Sequence, residues 1–370
     1  MTILKRTLLT TLLCLSSVES QPVVGPLVFT DASAFVHQVT VQDGVDETRY
    51  RQAVSPLILS LPVAAGNIDI RSAYMYLEMR DSSGIRDARG PLDTQIAGEW
   101  DLGKALFTGY VNVPTGSDSL DTIAADLATG IARNDLDFPI KTFGHGLDFG
   151  GALTLAYQFR HWAFSVGGGY VIRGPYAPLE NVSNYDPGDE STVTLGATYA
   201  VGGWSAGLDL AGTYIRVDRE AGQITFRNGK QFVGRGSLAY TSRRLKIEAS
   251  ATEITRFKNL DASTGPLLYE DRDSNGNDFR ARGSLRVTPI SGWTIFGEAT
   301  YKDLTKNAYD ATDPLFQGAA RLWSYGGGLT VQVGKREAMT VRVVRGDGWI
   351  RDRAQDVETL NIRVSVRVSF

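Results

Sequence analysis

Seven arginines share one kind of placement: Arg235, Arg280, Arg282, Arg286, Arg342, Arg363 and Arg367 each sit one step out of phase with apolar or small residues. FRARGSLRV, from Phe279, and TLNIRVSVRVSF, at the end of the chain, display it most openly. Five acids earlier in the chain, Asp93, Glu99, Asp101, Asp148 and Asp209, alternate in the same way. On a strand, every second side chain shares a face. Acids on early strands and arginines on late ones would therefore become opposite walls if the strands closed into an up-and-down barrel. Such walls set up a transverse field that orients dipolar solutes and resists apolar ones, so these twelve residues are the expected pore-lining set, with Glu248 and Glu298 interrupting the basic wall. The competing expectation is that the charges pair inside a plugged barrel.

Other chemistry is thin. DRDSNGND, residues 271 to 278, imitates the start of a calcium loop, but its twelfth position is Arg282, which cannot ligate calcium, so the stretch reads as a polar turn and no metal site is expected. The histidines are His37, His145 and His161. Only His145, near Asp137 and Asp148, could serve a rim hydrolase, and no catalytic residue or cofactor is expected. Cys14, the one cysteine, falls in the N-terminal leader, so a disulfide framework is not expected.

The elements that must carry these side chains are strands. WTIFGEATY sets Trp293, Ile295, Gly297, Ala299 and Tyr301 against Thr294, Phe296, Glu298 and Thr300, and WSAGLDLAGTY repeats the pattern from Trp204. Aromatic residues at both ends of the apolar face are what two membrane interfaces select, with about ten residues per tilted strand between them. Sliding the segment at Phe279 by one residue would aim its arginines at lipid, at about 2 to 4 kcal/mol each near the midplane, so a single register is expected. Tight turns near residues 201, 242, 290 and 335 alternate with long polar links at 117–146, 174–190, 218–228, 257–277, 306–318 and 346–357. That asymmetry predicts an all-β, antiparallel transmembrane barrel of about 16 strands, with 14 or 12 as alternatives and the short turns periplasmic. Thirteen strands are expected from residue 92 onward and one at 68–81; 34–42 and 49–63 are the weakest, because Pro56 interrupts the latter. Residues 21–67 are accordingly the least certain part of the barrel domain, with a periplasmic placement as the alternative. In the longest link, Leu120, Ile123, Ala124, Leu127 and Ile131 are spaced for an amphipathic helix capped by Ser117 or Ser119. It either folds inward or lies over the extracellular rim.

Lys5 and Arg6 before an apolar run, with Val18 and Ser20 at small-residue sites, predict a signal peptide over 1–20. With a formal net charge of −3 and dispersed basic residues, a nucleic-acid partner is not expected. LDTQIAGEWDL from Leu92, VNVPTG ending at Gly116, GGGYVIRGPY from Gly167 and YDPGDE from Tyr185 resemble the outer-membrane barrel proteins grouped with the transporters of phenol meta-pathway degradation. The resemblance spans residues 92 to about 204 and implies uptake of small organic compounds, aromatic ones among them. The closing strand, with Val366, Val368 and Phe370, resembles the C-terminal signal by which bacterial outer-membrane barrels are handed to their assembly machinery. The expected partners are thus that machinery, outer-membrane lipid and lipopolysaccharide, and small-molecule solutes.

Overall fold

The computed structural model describes residues 29–63, 65–116, 120–144, 146–177, 185–262, 265–313 and 315–370. The leader with Cys14, the candidate caps Ser117 and Ser119, and His145 lie outside the described residues.

The chain runs through β1 (Phe29–Asp43), β2 (Asp46–Val63), β3 (Gly66–Asp81), β4 (Gly84–Pro91), β5 (Thr94–Asp101) and β6 (Ala105–Val113), then helix α1 (Thr122–Ala132). It continues through β7 (Asp148–Phe159), β8 (Trp162–Arg173), β9 (Tyr185–Asp186), β10 (Glu190–Val201), β11 (Trp204–Ile215), β12 (Asp218–Glu220) and β13 (Gln223–Arg227). The last part comprises β14 (Gln231–Thr241), β15 (Leu245–Arg256), β16 (Leu260–Asp261), β17 (Leu268–Tyr269), β18 (Asp278–Ile290), β19 (Trp293–Leu304), β20 (Ala320–Gln332), β21 (Glu337–Ile350) and β22 (Gln355–Ser369). Seventeen of these strands form one sheet, and β1 pairs antiparallel with β22 to close it. Because β4 and β5 both pair with β3, on its upper and lower halves, they form one interrupted stave, leaving 17 − 1 = 16 staves. The expected fold class and strand number both hold.

The outer surface is an apolar belt. Leu155, Val166, Leu195, Leu208, Ile295 and Val364 are all exposed although none is polar, the arrangement that a hydrocarbon solvent requires. At the short-turn rim Trp162 meets Tyr199 and Trp204 meets Tyr240, at ring separations of 5.0 and 4.8 Å. At the opposite rim Tyr301 meets Trp323 at 4.4 Å. These are the two interfacial girdles of an outer-membrane barrel. No helix among the described residues is long and apolar enough to cross a membrane; the crossing is made by strands.

Pro56 does not break β2. Toward β3 the ladder is continuous through Pro56 opposite Ala73, whereas toward β1 pairing passes from Ala32–Leu57 to Phe35–Val54 without a change of register. The missing N–H is thus confined to the β1 side, where the ladder skips two residues.

Two expectations are corrected. The link expected at 346–357 is a turn between Ile350 and Gln355, because β21 and β22 extend beyond the apolar belt as a paired hairpin. Helix α1 is capped not by Ser117 or Ser119 but by Asp121, whose carboxylate accepts from Ala124 N–H at 2.7 Å. The sequence also gave no sign that the long loops join, yet β9, β12, β13, β16 and β17 form a second five-stranded sheet over the loop end of the barrel.

Candidate functional site

The segment between β6 and β7 enters the barrel. Leu127, Ile131, Leu136, Phe138 and Phe143 are buried against Val39, Val41, Tyr50, Val54, Met75 and Leu77, on the inner faces of β1, β2 and β3. Leu304, Leu322, Ile350 and Val357 extend that cluster across β19 to β22. Fully burying five such side chains is worth roughly 8 to 15 kcal/mol on area bookkeeping, so apolar contact, more than charge, keeps the loop in. Gly130 lets α1 approach closely: a Cβ there would lie 2.9 Å from the Tyr50 ring.

Polar groups set the register. Gln52, fully buried on β2, donates through Nε2 to the Ile140 carbonyl at 2.7 Å and accepts from Ile140 N–H at 3.4 Å. Phe138 stands edge-on to His37 and Tyr50, with centroids 5.3 and 5.9 Å away. Asp137, held at a left-handed φ of 54°, presents one carboxylate oxygen to Lys302 Nζ at 2.8 Å and Arg280 Nη1 at 3.1 Å. Lys302 also donates to the Asn134 carbonyl. Burial alone would push the Asp137 carboxyl up, but Lys302 and Arg280 outweigh it and hold the group at about 2. Its side chain keeps 44% exposure within the barrel, so solvent screens these ion pairs. Lys141 on the same loop is pushed down by burial and by the charges of Lys302, Arg280 and Arg256, which marks the region as electropositive.

Below the loop the inner face is polar. Arg282 and Arg342 share Glu298, the Arg282 bond measuring 2.9 Å. Arg367 reaches Asp31 at 3.1 Å across the closing seam, Arg363 lies over the Phe35 ring at 5.0 Å, and Arg286 lies over Phe296 at 5.9 Å. Arg235 stands opposite Asp209 in the β11–β14 register. All seven arginines share strand faces with these inward contacts, whereas Leu285, Val343, Ile362 and Val364 on the alternate faces are exposed in the belt.

The early acids are placed differently from one another. Asp93 accepts from Gly116 N–H at 2.9 Å and Asp101 from Gly103 N–H at 2.8 Å. Asp148 is buried, between Asn112 at 3.5 Å and Gly174 N–H at 3.4 Å. Glu99 is exposed near the short-turn rim. At 271–278, Asp273 accepts from Asn275 N–H and Asp278 clasps Arg280 through two bonds of 3.0 and 2.9 Å. No cluster of His, Cys, Asp or Glu among the described residues is arranged to hold a metal. His161 lies in the turn between β7 and β8. Sequence reasoning missed Lys302, although it is in phase with Glu298 on β19, and missed the anchors Gln52 and Phe138.

No family model matches the chain, and no curated protein matches it. Among solved structures it is similar to the anion-selective porin from Comamonas acidovorans, at 10% identity, covering 93% of this chain and 98% of that one, with a TM-score of 0.43. OccK7 from Pseudomonas aeruginosa is 10% identical over 93% of this chain and all of that one (100%), with a TM-score of 0.45. The TodX deltaS2S3 mutant monoaromatic hydrocarbon channel is 10% identical over 94% and 91%, with a TM-score of 0.48. These are likenesses of fold, and the chemistry of the lumen is argued from this chain's own side chains.

Proposed function

We propose that this barrel is an outer-membrane channel for the passive uptake of small polar or amphipathic organic solutes. The observation that carries the reading is solvent access inside a closed sheet. Side chains of Arg280, Arg282, Arg342 and Arg367 retain 42, 37, 29 and 31% exposure although their strands turn them inward. A barrel whose interior was fully packed would leave no such access. Lumen arginines flanked by Glu298 and, toward the rim, Glu99 give a charged passage that favours hydrophilic cargo and works against a purely apolar conduit. The resemblance over residues 92 to 204 supports small organic compounds as the class. The aromatic C-terminus, with Val366 and Val368, fits recognition by an assembly machinery. Arg216 and Arg272, exposed in the long loops after β11 and β17, suit contact with lipopolysaccharide, and the first twenty residues suit an export signal.

Planar-bilayer recording of the purified barrel tests the channel reading. Stepwise ionic current, together with osmotic swelling of liposomes in small organic solutes, is expected. A silent barrel that leaves liposomes tight to those solutes would refute it and favour a structural or adhesive role.

A further inference from the structure

We propose that Arg280 and Lys302 form a carboxylate-binding site on the lumen wall, that Asp137 of the inward loop fills it as a tethered carboxylate, and that an organic anion in transit takes the place of Asp137. The inference rests on the channel reading above and deepens it by naming the class of solute.

The site is built before any anion arrives. Asp278, 1% exposed at its side chain, grips Arg280 through Nε and Nη2, so the guanidinium is fixed with Nη1 turned toward the loop. Lys302, 6% exposed, is fixed by the Asn134 carbonyl and points its ammonium at the same spot. Asp137 supplies the proof of fit, since a single carboxylate oxygen satisfies both cations at 2.8 and 3.1 Å. Fixed donors of this kind bind an anion without reorganising.

Charge favours an anion there. The charges of Lys302, Arg280 and Arg256 all bear on Lys141, so four cations share this region with the carboxylates of Asp137 and Asp278, a surplus of 4 − 2 = 2. If the Asp137 side chain rotates away, a nearly buried ammonium loses its carboxylate, which is costly unless another anion enters. The exchange does not require the loop to leave. Two of its five apolar anchors, Leu136 and Phe138, flank Asp137 and stay buried in the cluster, while the Asp137 and Arg280 side chains, 44 and 42% exposed, are open on one side. A short carboxylate on two rotatable bonds can therefore swing out while Phe138 stays seated. Glu298 below, shared by Arg282 and Arg342, repeats the motif of two cations on one carboxylate. An anion leaving the upper site meets a second position of the same chemistry.

Benzoate is a suitable probe, and the full barrel in detergent the suitable sample, with heat-modifiable migration confirming that each variant is folded. Calorimetry should give weak benzoate binding to the wild type and about tenfold tighter binding to Asp137→Asn, since the internal competitor no longer occupies the site. Asp137→Ser should behave likewise. Adding Lys302→Met should abolish binding in either background, and benzoate should block the chloride current at a concentration that falls in parallel. Unchanged affinity in both Asp137 variants, or binding that survives Lys302→Met, overturns the proposal while leaving the channel intact. Absence of current from the wild type and both variants overturns the channel reading, and with it transit through the site, a failure that calorimetry distinguishes because it reads binding without transport.

Discussion

Replacing Gln52 with Leu isolates what the polar anchor contributes to loop docking. Leucine keeps the position filled and apolar but removes the bonds to the Ile140 carbonyl at 2.7 Å and from the Ile140 N–H at 3.4 Å. The second is near the limit of a hydrogen bond, so the main loss is the first. Leaving a partly buried carbonyl without its partner costs up to about 1 to 3 kcal/mol, which multiplies the population of locally opened loop by at most about 5- to 150-fold. Trypsin reads that population directly, because Lys141 lies next to Ile140 and cleavage of a briefly opened segment tracks its equilibrium fraction when closing is fast. Cleavage after Lys141 in the folded barrel should therefore accelerate by that factor. The urea midpoint of the barrel should hardly move, since β2 is bound to β1 and β3 through its backbone. An unchanged cleavage rate would show that Gln52 does not hold the loop. A large fall in the urea midpoint with no gain in cleavage would show that it supports the strand instead.

Acidification should act through Asp137: its folded pKa lies below the ordinary carboxylate value near 3.9, so its ion pairs stabilise docking above about pH 4 and that contribution is lost as pH falls toward about 2. Trypsin-independent probes of loop position, such as hydrogen exchange, should register this loss in the wild type and not in Asp137→Asn. Replacing Arg235 and Arg286 together by Ser should move the reversal potential under a salt gradient toward cations with little change in urea stability; unaltered selectivity with increased stability would mean that the strand faces are inverted. Deleting Phe370, which is exposed beyond the end of β22, should lower the amount of folded barrel in the outer membrane without altering the unfolding of whatever folds. Unchanged surface levels would refute the assembly reading.

Where strands face lipid, the sequence was readable: Leu360 to Val366 and Trp293 to Tyr301 alternate because one solvent is hydrocarbon and the other water. The reading failed where that boundary ends. On β2, Leu57 faces outward, yet nearer the loop end Val54, Gln52 and Tyr50 are the buried set and Arg51 and Arg49 face outward. The apolar face has crossed from the outside of the wall to the inside, where the loop is seated. The same inversion on β21 and β22, with Ile350 and Val357 inward and Asp347 and Glu358 outward, made a paired hairpin look like a polar link. A change of phase in the alternation was the available signal. The latch itself was not legible, because Asp137 and Lys302 are 165 residues apart and neither carries a local motif.

The closing seam has a consequence for the order of folding. β1 and β22 meet only after every strand between them is present, and Gln355 bonds Asp43 across 312 residues of sequence. Contacts of that span are the slowest to form. The buried cluster straddles the seam, with Val39 and Val41 on one side, Ile350 and Val357 on the other, and mid-chain residues of the loop packed over both. Half of the loop's seat therefore does not exist until the last hairpin arrives, and docking and circularisation become a single late, cooperative event. Once complete, the loop is a rivet on the inner side of the seam between β1 and β22, the first and last described strands, and prying that joint apart means unseating the loop first.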